Sequence, residues 1–405
     1  MWRILRSRPV LTDETHRATA FEVFFDLVFI FALTRIISFM GHPPTPLTLA
    51  QGLVLLLLLW MAWTTYAWLS NQARADLGLI PAGTIAAMAA IFVIALAMPD
   101  AFQHAGGSHR GPLTLAVAYV VLRVLDLVLY FHIAAGDRQM RTTLRLFTLT
   151  AVLAWVPLFL GALAGGGAQT LLWAAAFAID FGGGFIASAF SGWRLRSPSH
   201  FTERHGLVLI IALGESLIST GAGVGSAVTQ WPVLVAALLG FTKAVCLWWL
   251  YFKISAPAAG EALGRVPIQR RGRSASDAYS LAHFLLIAGI IYTALGLEQT
   301  IAGVAHPRQE HASAARLPWT STTALYGGVV LYLAGRALFL RFTVRSVPPA
   351  QLVAIAVLLA LVPAARYLPA LAALGLLTAF LLVLVGTEWS RRSRATARAG
   401  LPTME

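Results

Sequence analysis

Along the chain, apolar runs close to bilayer length alternate with short breaks rich in Pro, Gly and Arg. The runs cover about 20–39, 48–69, 79–98, 113–133, 143–163, 168–189, 206–225, 232–252, 279–302, 322–340, 350–365 and 369–388. About 20 apolar residues in helical form cross the ~30 Å hydrocarbon core. The pattern therefore predicts an all-α polytopic membrane helix bundle of about twelve transmembrane helices. The eleventh run is short, and Pro363, Arg366 and Pro369 crowd its junction with the twelfth.

Composition supports the same class. The chain is 58% hydrophobic and 12% charged over 405 residues, with a mean hydropathy of +0.74, far from the soluble range. Its single cysteine, Cys246, lies inside an apolar run, so there is no disulfide framework, CxxC pair or thiolate metal site. The net charge of +13 could suggest a nucleic-acid partner, but an interfacial basic excess on one membrane side explains it better, and nucleic acid is rejected. Placed on the predicted topology, 22 Lys and Arg fall on one side of the membrane against four on the other, namely Arg110, Arg308, Arg316 and Arg366. Cytoplasmic loops accumulate such residues. Both termini are therefore expected in the cytoplasm of a multi-pass cell-membrane protein, with 1–19 as a cytoplasmic segment and 389–405 as a basic tail. The first run is too long for a signal peptide and lacks a small-residue cleavage site, so it reads as an uncleaved span. The stretch Ser255–Asp277, with its basic RRGR run, reads as a flexible cytoplasmic linker near anionic headgroups.

Sliding the chain over itself gives an internal correspondence. Leu27–Leu33 (LVFIFAL) matches Leu207–Leu213 (LVLIIAL) in five of seven positions, with Phe21 and Phe201 at the same offset. Tyr119/Arg123 and Tyr332/Arg336 also fall six spans apart, as do Trp63/Tyr66 and Trp248/Tyr251. This predicts a 6+6 parallel repeat with halves at 20–190 and 200–388, an arrangement in which transporters place a midplane site. On that alignment Arg35 and Glu215 sit at equivalent depth with opposite charge, which makes an ion pair between them an expectation.

An ionised side chain near the bilayer centre costs roughly 2.5–3.5 kcal/mol on insertion scales. The predicted spans nevertheless hold Glu22, Asp26, Arg35, Arg123, Asp126, Asp180, Glu215, Lys243, His283, Glu298 and Arg336. Glu22 and Asp26 are four residues apart, so both carboxylates leave one face of the first helix. With Asp126, His132, Glu203, His205 and His283 they fall toward the cytoplasmic end and could surround one pocket. Arg35, Arg123, Asp126, Asp180, Lys243 and Arg336 are read as a buried charge network. His200, Glu203, Arg204 and His205 open the seventh helix behind Pro198, with a spacing unlike the helical HExxH zinc motif. Whether a metal or a cofactor is bound is left open. Trp60, Trp63, Trp68, Trp248 and Trp249 read as interfacial belts.

FEVFFDLVFIFAL, HFTERHGLVLIIALGESL and AYSLAHFLLIAGIIYTALGLE, in this order and spacing, resemble the low temperature requirement protein A (LtrA) family over most of the chain, up to about residue 390. The family's motif positions correspond here to Glu22, Phe24, Phe25, Asp26, His200, Glu203, Arg204, Gly206, Gly214, Glu215, Ser216, His283, Gly289 and Glu298. Val23 stands where Leu is usual, and Leu285 where a Pro is common, which bears on a helix kink. The resemblance implies a multispan membrane protein and names no reaction.

The function expected from these features is an ion- or proton-coupled secondary transporter of a small solute, with Glu22, Asp26, His200, Glu203, Arg204, Glu215, His283 and Glu298 as substrate- or ion-binding residues. The rival is an intramembrane enzyme acting on a lipid or isoprenoid-like substrate through Glu22, Asp26, Glu203 and His283. A third reading is a non-catalytic membrane partner in stress adaptation. Lipid is a partner in each, and the sequence leaves the oligomeric state open.

Overall fold

The structure is a computed structural model that describes residues 9–41, 44–103, 108–191, 194–224, 229–305 and 316–398. Arg3, Arg6, Arg8 and Arg308 of the charge count lie outside the described residues. Each of the twelve apolar runs forms a helix: α1 Ala20–Met40, α2 Pro46–Gln72, α3 Ile80–Ala97, α4 Arg110–Ile133, α5 Arg138–Ala164, α6 Gly166–Ser191, α7 Pro198–Val224, α8 Trp231–Arg265, α9 Ile268–Ala305, α10 Trp319–Thr343, α11 Pro349–Ala365 and α12 Ala370–Arg398. Among the described residues ten are long and apolar enough to cross a bilayer; α7, interrupted by its charged residues, is not one of these, and α11 has 17 residues. Among the described residues there are no strands, only isolated bridges at Leu11–Ala73 and Arg316–Pro369.

Local chemistry sets the helix ends. Thr19 opens α1 with a capping box, its hydroxyl accepting from the Glu22 N–H while Glu22 Oε2 accepts from the Thr19 N–H at 2.9 Å. Pro46 occupies the first turn of α2 behind the Thr45 cap. Gly165 and Gly166, at φ of 72° and 57°, turn α5 directly into α6.

The linker expected over Ser255–Asp277 is helical instead. Helix α8 runs to Arg265 through a π-helical stretch, Trp249–Ser255, and α9 starts at Ile268 and passes through a second one, Ser276–Leu281. Only Val266 and Pro267 break the path. Proline cannot continue the first helix but caps the next, and Arg271 closes the corner by donating to the carbonyls of Gly264 (3.0 Å) and Val266 (2.9 Å). The basic run thus faces its own backbone as well as solvent.

The chain forms two compact units. The first comprises 1–211 and 263–284, the second 212–262 and 285–405. In the first, α2 packs against α1, α4 and α6. It is buried on nearly every side over its second half, as expected of a central membrane helix. In the second, α8 packs on α12 and α10 on α11. The approach of α9 to α10 within this unit is close enough that a Cβ on Gly289 would lie 2.5 Å from the Tyr332 nitrogen and 2.6 Å from the Gly328 carbonyl oxygen.

Because those neighbours are backbone atoms, Gly289→Ala should destabilise the protein by about 1–3 kcal/mol. Gly303→Ala, which meets nothing within 4 Å, should be neutral or slightly stabilising. Thermal unfolding in detergent should lower the midpoint for the first variant only.

Candidate functional site

Helices α1 and α7 each carry an i, i+4 pair of polar side chains, and the first unit brings the two pairs face to face. Glu22 and Asp26 on α1 meet His200 and Arg204 on α7. Arg204 is the shared element. Its Nη1 donates to Glu22 Oε1 at 2.8 Å and its Nη2 to Asp26 Oδ1 at 2.7 Å. All four side chains are buried, Asp26 and His200 completely. One guanidinium therefore compensates two carboxylates in a space from which water is nearly excluded. The gap beside Glu22, Ser70 and Arg204 measures about 10 Å³, room for a single water.

Helix α2 supplies the remaining partners. Trp63 donates its indole N–H to Asp26 Oδ1 at 2.8 Å, and Ser70 Oγ accepts from Arg204 Nη1 at 3.4 Å. Asn71 accepts the Arg196 backbone N–H and donates to the Ser197 carbonyl at 2.7 Å, which fixes its amide orientation. That amide NH₂ also faces His200 Nδ1 at 3.4 Å. His200 Nδ1 is then the acceptor, and Nε2 carries the proton donated to Glu22 Oε1 at 2.8 Å.

This geometry bears on the open question of a metal. His16, Glu22 and His200 place one ligand atom each within 4.8 Å of one another. Yet a cation there would need His200 Nε2 as a lone pair, leaving Nδ1–H pointed at the Asn71 NH₂, and would sit against the Arg204 guanidinium. The residues fit a hydrogen-bonded charge cluster and do not fit a resident metal. His16 lies in the segment preceding α1, its ring 5.0 Å from that of His200, and burial holds its pKa below the ordinary value, with the neighbouring His200 acting in the same direction.

Behind Asp26 is an aromatic and imidazole group. His205 sits edge-on to Trp63 at 4.8 Å and lies 5.2 Å from both Tyr279 and His283. Tyr279 stacks on His283 at 5.0 Å. His205 donates from Nδ1 to the Phe201 carbonyl at 2.8 Å, so Nε2 is a lone pair. Asp26 Oδ2 and His205 Nε2 are both buried with no hydrogen-bond partner among the described residues.

The other sequence-predicted residues separate. Glu203 points to the surface side and pairs with exposed Arg17 at 3.0 Å, also accepting the Ala18 N–H. Arg123 bridges Asp126 (2.8 Å) and Asp180 (2.9 Å) in a second buried group of the first unit. Arg35 is half-buried deeper in α1. Glu215, Glu298, Lys243 and Arg336 belong to the second unit. There Lys243 donates to the Thr293 carbonyl at 3.3 Å, with no carboxylate partner among the described residues, and Arg336 makes a bidentate pair with Glu388 at 2.8 and 2.5 Å.

Several partners escaped the sequence reading. Trp60 and Trp63 are not belt residues, because both are buried and donate inward, Trp60 to the Ser280 carbonyl at 2.6 Å. Trp68 likewise donates to Ser280 Oγ at 3.1 Å. Asn71, near the end of α2, and Glu388, at the end of the twelfth apolar run but inside α12, resembled ordinary interfacial residues, and their pairing leaves no signal in spacing.

Ten helices long and apolar enough to cross a bilayer, with ion pairs enclosed between helices, define a polytopic membrane protein in contact with lipid. The family profile described as Bacterial low temperature requirement A protein (LtrA) matches residues 17–386, and the chain belongs to that family. It is 26% identical over 362 residues to an uncharacterized protein of Rhizobium meliloti (strain 1021), covering 86% of this chain and 83% of the relative. No solved structure matches.

Removing one partner of a buried ion pair costs about 3–5 kcal/mol, because the other charge is left uncompensated. Arg204→Met should therefore unfold at much lower temperature than wild type. Adding Glu22→Gln and Asp26→Asn to it should recover much of the loss, whereas additive losses would show the three side chains to be uncoupled. His16 should give a pH signature. Its folded pKa lies below the unfolded value near 6.5, so its contribution is full above that pH and declines as pH falls through it. His16→Gln should flatten that part of the stability profile.

Proposed function

We propose that this protein is a proton-coupled secondary transporter of a small solute in the cell membrane, with both termini cytoplasmic. The observation that carries the reading is the Arg204 bridge. A single guanidinium holds two membrane-embedded carboxylates, and one of them, Asp26, has a buried oxygen with no hydrogen-bond partner among the described residues. A proton arriving on Asp26 Oδ2 would neutralise that carboxylate and weaken one arm of the bridge, leaving Arg204 with Glu22 alone. Charge compensation inside the unit would then depend on protonation, which is what coupling requires.

The orientation rests on the Lys/Arg asymmetry, and on it the cluster lies toward the cytoplasmic end of α1 and α7. The proposed 6+6 repeat pairs these same two helices, and both begin at the same end of the first unit. Glu215, at a buried position in the second unit, is proposed as a further proton or ion site. The enzyme reading is less well supported. Of its four candidate groups, Glu203 is engaged with Arg17 at the surface, and both Glu22 and Asp26 are held by Arg204.

The test is flux in liposomes that hold a pH-sensitive dye. With an imposed proton gradient, addition of a transported solute should release protons through wild type, and a solute panel is screened for that response. Asp26→Asn and Glu215→Gln should each lower solute-triggered proton movement at least about tenfold while remaining folded. Equal flux in Asp26→Asn would remove Asp26 from coupling, and turnover of added lipid in detergent would favour the enzyme instead.

A further inference from the structure

The first unit contains a cavity of about 270 Å³ that neither the family nor the charge cluster assigns. Its inner wall comes from α2, α4, α5 and α6, and its mouth from one stripe of α9. We propose that it binds an amphiphilic organic cation, a protonated or quaternary amine on an apolar or aromatic body.

Three observations carry the assignment. The first is the wall, where Trp68, Tyr130, Phe147, Phe181 and Phe185 supply aromatic surface, and ring faces attract cations. The second is the direction of the hydroxyls. Thr64 donates to the carbonyls of Trp60 and Met61 at 2.9 Å, Thr143 to Gln139 at 3.2 Å and Tyr130 to Thr65 at 3.0 Å. Their protons are committed to backbone, so what these oxygens offer the cavity is acceptor capacity. The third is charge. Asp277 on the α9 stripe is half-buried and makes no hydrogen bond or ion pair among the described residues. Behind the floor, Thr65 and Phe147 touch Arg123, the single guanidinium set against Asp126 and Asp180, at 3.4 Å and 5.1 Å. If all three are ionised this group carries one net negative charge.

The opposing group is Arg273, one turn before Asp277 and exposed at the mouth. It acts electrostatically on the Asp277 carboxylate without a salt bridge among the described residues, and solvent screens it at the mouth. It selects against cations weakly, so its removal should tighten binding.

Calorimetry on the full-length protein in lipid nanodiscs, without any gradient, decides the matter. The probes are benzyltrimethylammonium and benzenesulfonate, similar in size and opposite in charge. Saturable binding of the cation is expected, with the sulfonate at least tenfold weaker. Asp277→Asn should weaken the cation at least tenfold, Ser276→Leu, which fills the mouth, should abolish it, and Arg273→Gln should strengthen it severalfold. Equal affinity for both probes, or wild-type affinity in both Asp277→Asn and Ser276→Leu, would overturn the proposal. The site would name the solute class of the transport reading. It is read by binding alone, so loss of one leaves the other to stand or fall on its own assay.

Discussion

Placing a carboxylate where water cannot follow forces the rest of the structure to supply its counter-charge, and in the first unit that demand falls on Arg204. Two acids on α1 share this one side chain of α7, and the helices are locked in register because both pairs repeat at the same four-residue interval. Every other contact of the cluster can be understood as support for that bridge. From α2, Trp63 donates a second hydrogen bond to Asp26 Oδ1, Ser70 Oγ accepts from Arg204, and Asn71 orients His200 so that it becomes a second donor to Glu22. A desolvated pair is poor evidence for net stability, since its attraction only offsets the cost of burial. What it provides is uniqueness: no other register of α1 against α7 leaves both acids compensated.

Glu22 shows how one residue serves two levels of organisation. Oε2 closes the capping box that starts α1, while Oε1 enters the ion cluster. First-turn cap and ion-cluster member are compatible roles, because the two carboxylate oxygens divide the tasks. Arg123 with Asp126 and Asp180 repeats the logic with the ratio of charges unchanged, again one guanidinium to two acids. Arg336 in the second unit instead has a single carboxylate, Glu388, in a bidentate pair.

Helix number and position were legible in the sequence because a bilayer leaves a coarse signature, a run of apolar residues that must continue for some twenty positions. Glu22, Asp26 and Arg204 were legible as candidates for the same reason, since each breaks such a run or its edge. Their pairing was not. Which buried charge meets which is decided by helix packing, and packing among Leu, Ile, Val and Ala carries little sequence mark. Trp63 was misassigned because a tryptophan at a headgroup and one donating to a buried acid look alike until depth and direction are known. The stretch before Asp277 was read as linker because Gly, Pro and Arg suggest a flexible chain, yet Arg271 turns those same residues into a capped corner.

The two π-helical stretches give the backbone itself a part in the chemistry. In regularly wound α7, His205 reaches back four residues to a carbonyl, whereas His283, just past the widened turn Ser276–Leu281, reaches back five, to Ala278 at 3.1 Å. That oxygen can only accept, so it settles which imidazole nitrogen of His283 holds hydrogen. Were the extra residue to slip out and the helix to tighten, everything beyond it would rotate by about 100° relative to the preceding turn. The carbonyl would leave, and this bond would no longer fix the tautomer. Helical winding and the imidazole tautomer are, at this position, coupled through that one hydrogen bond.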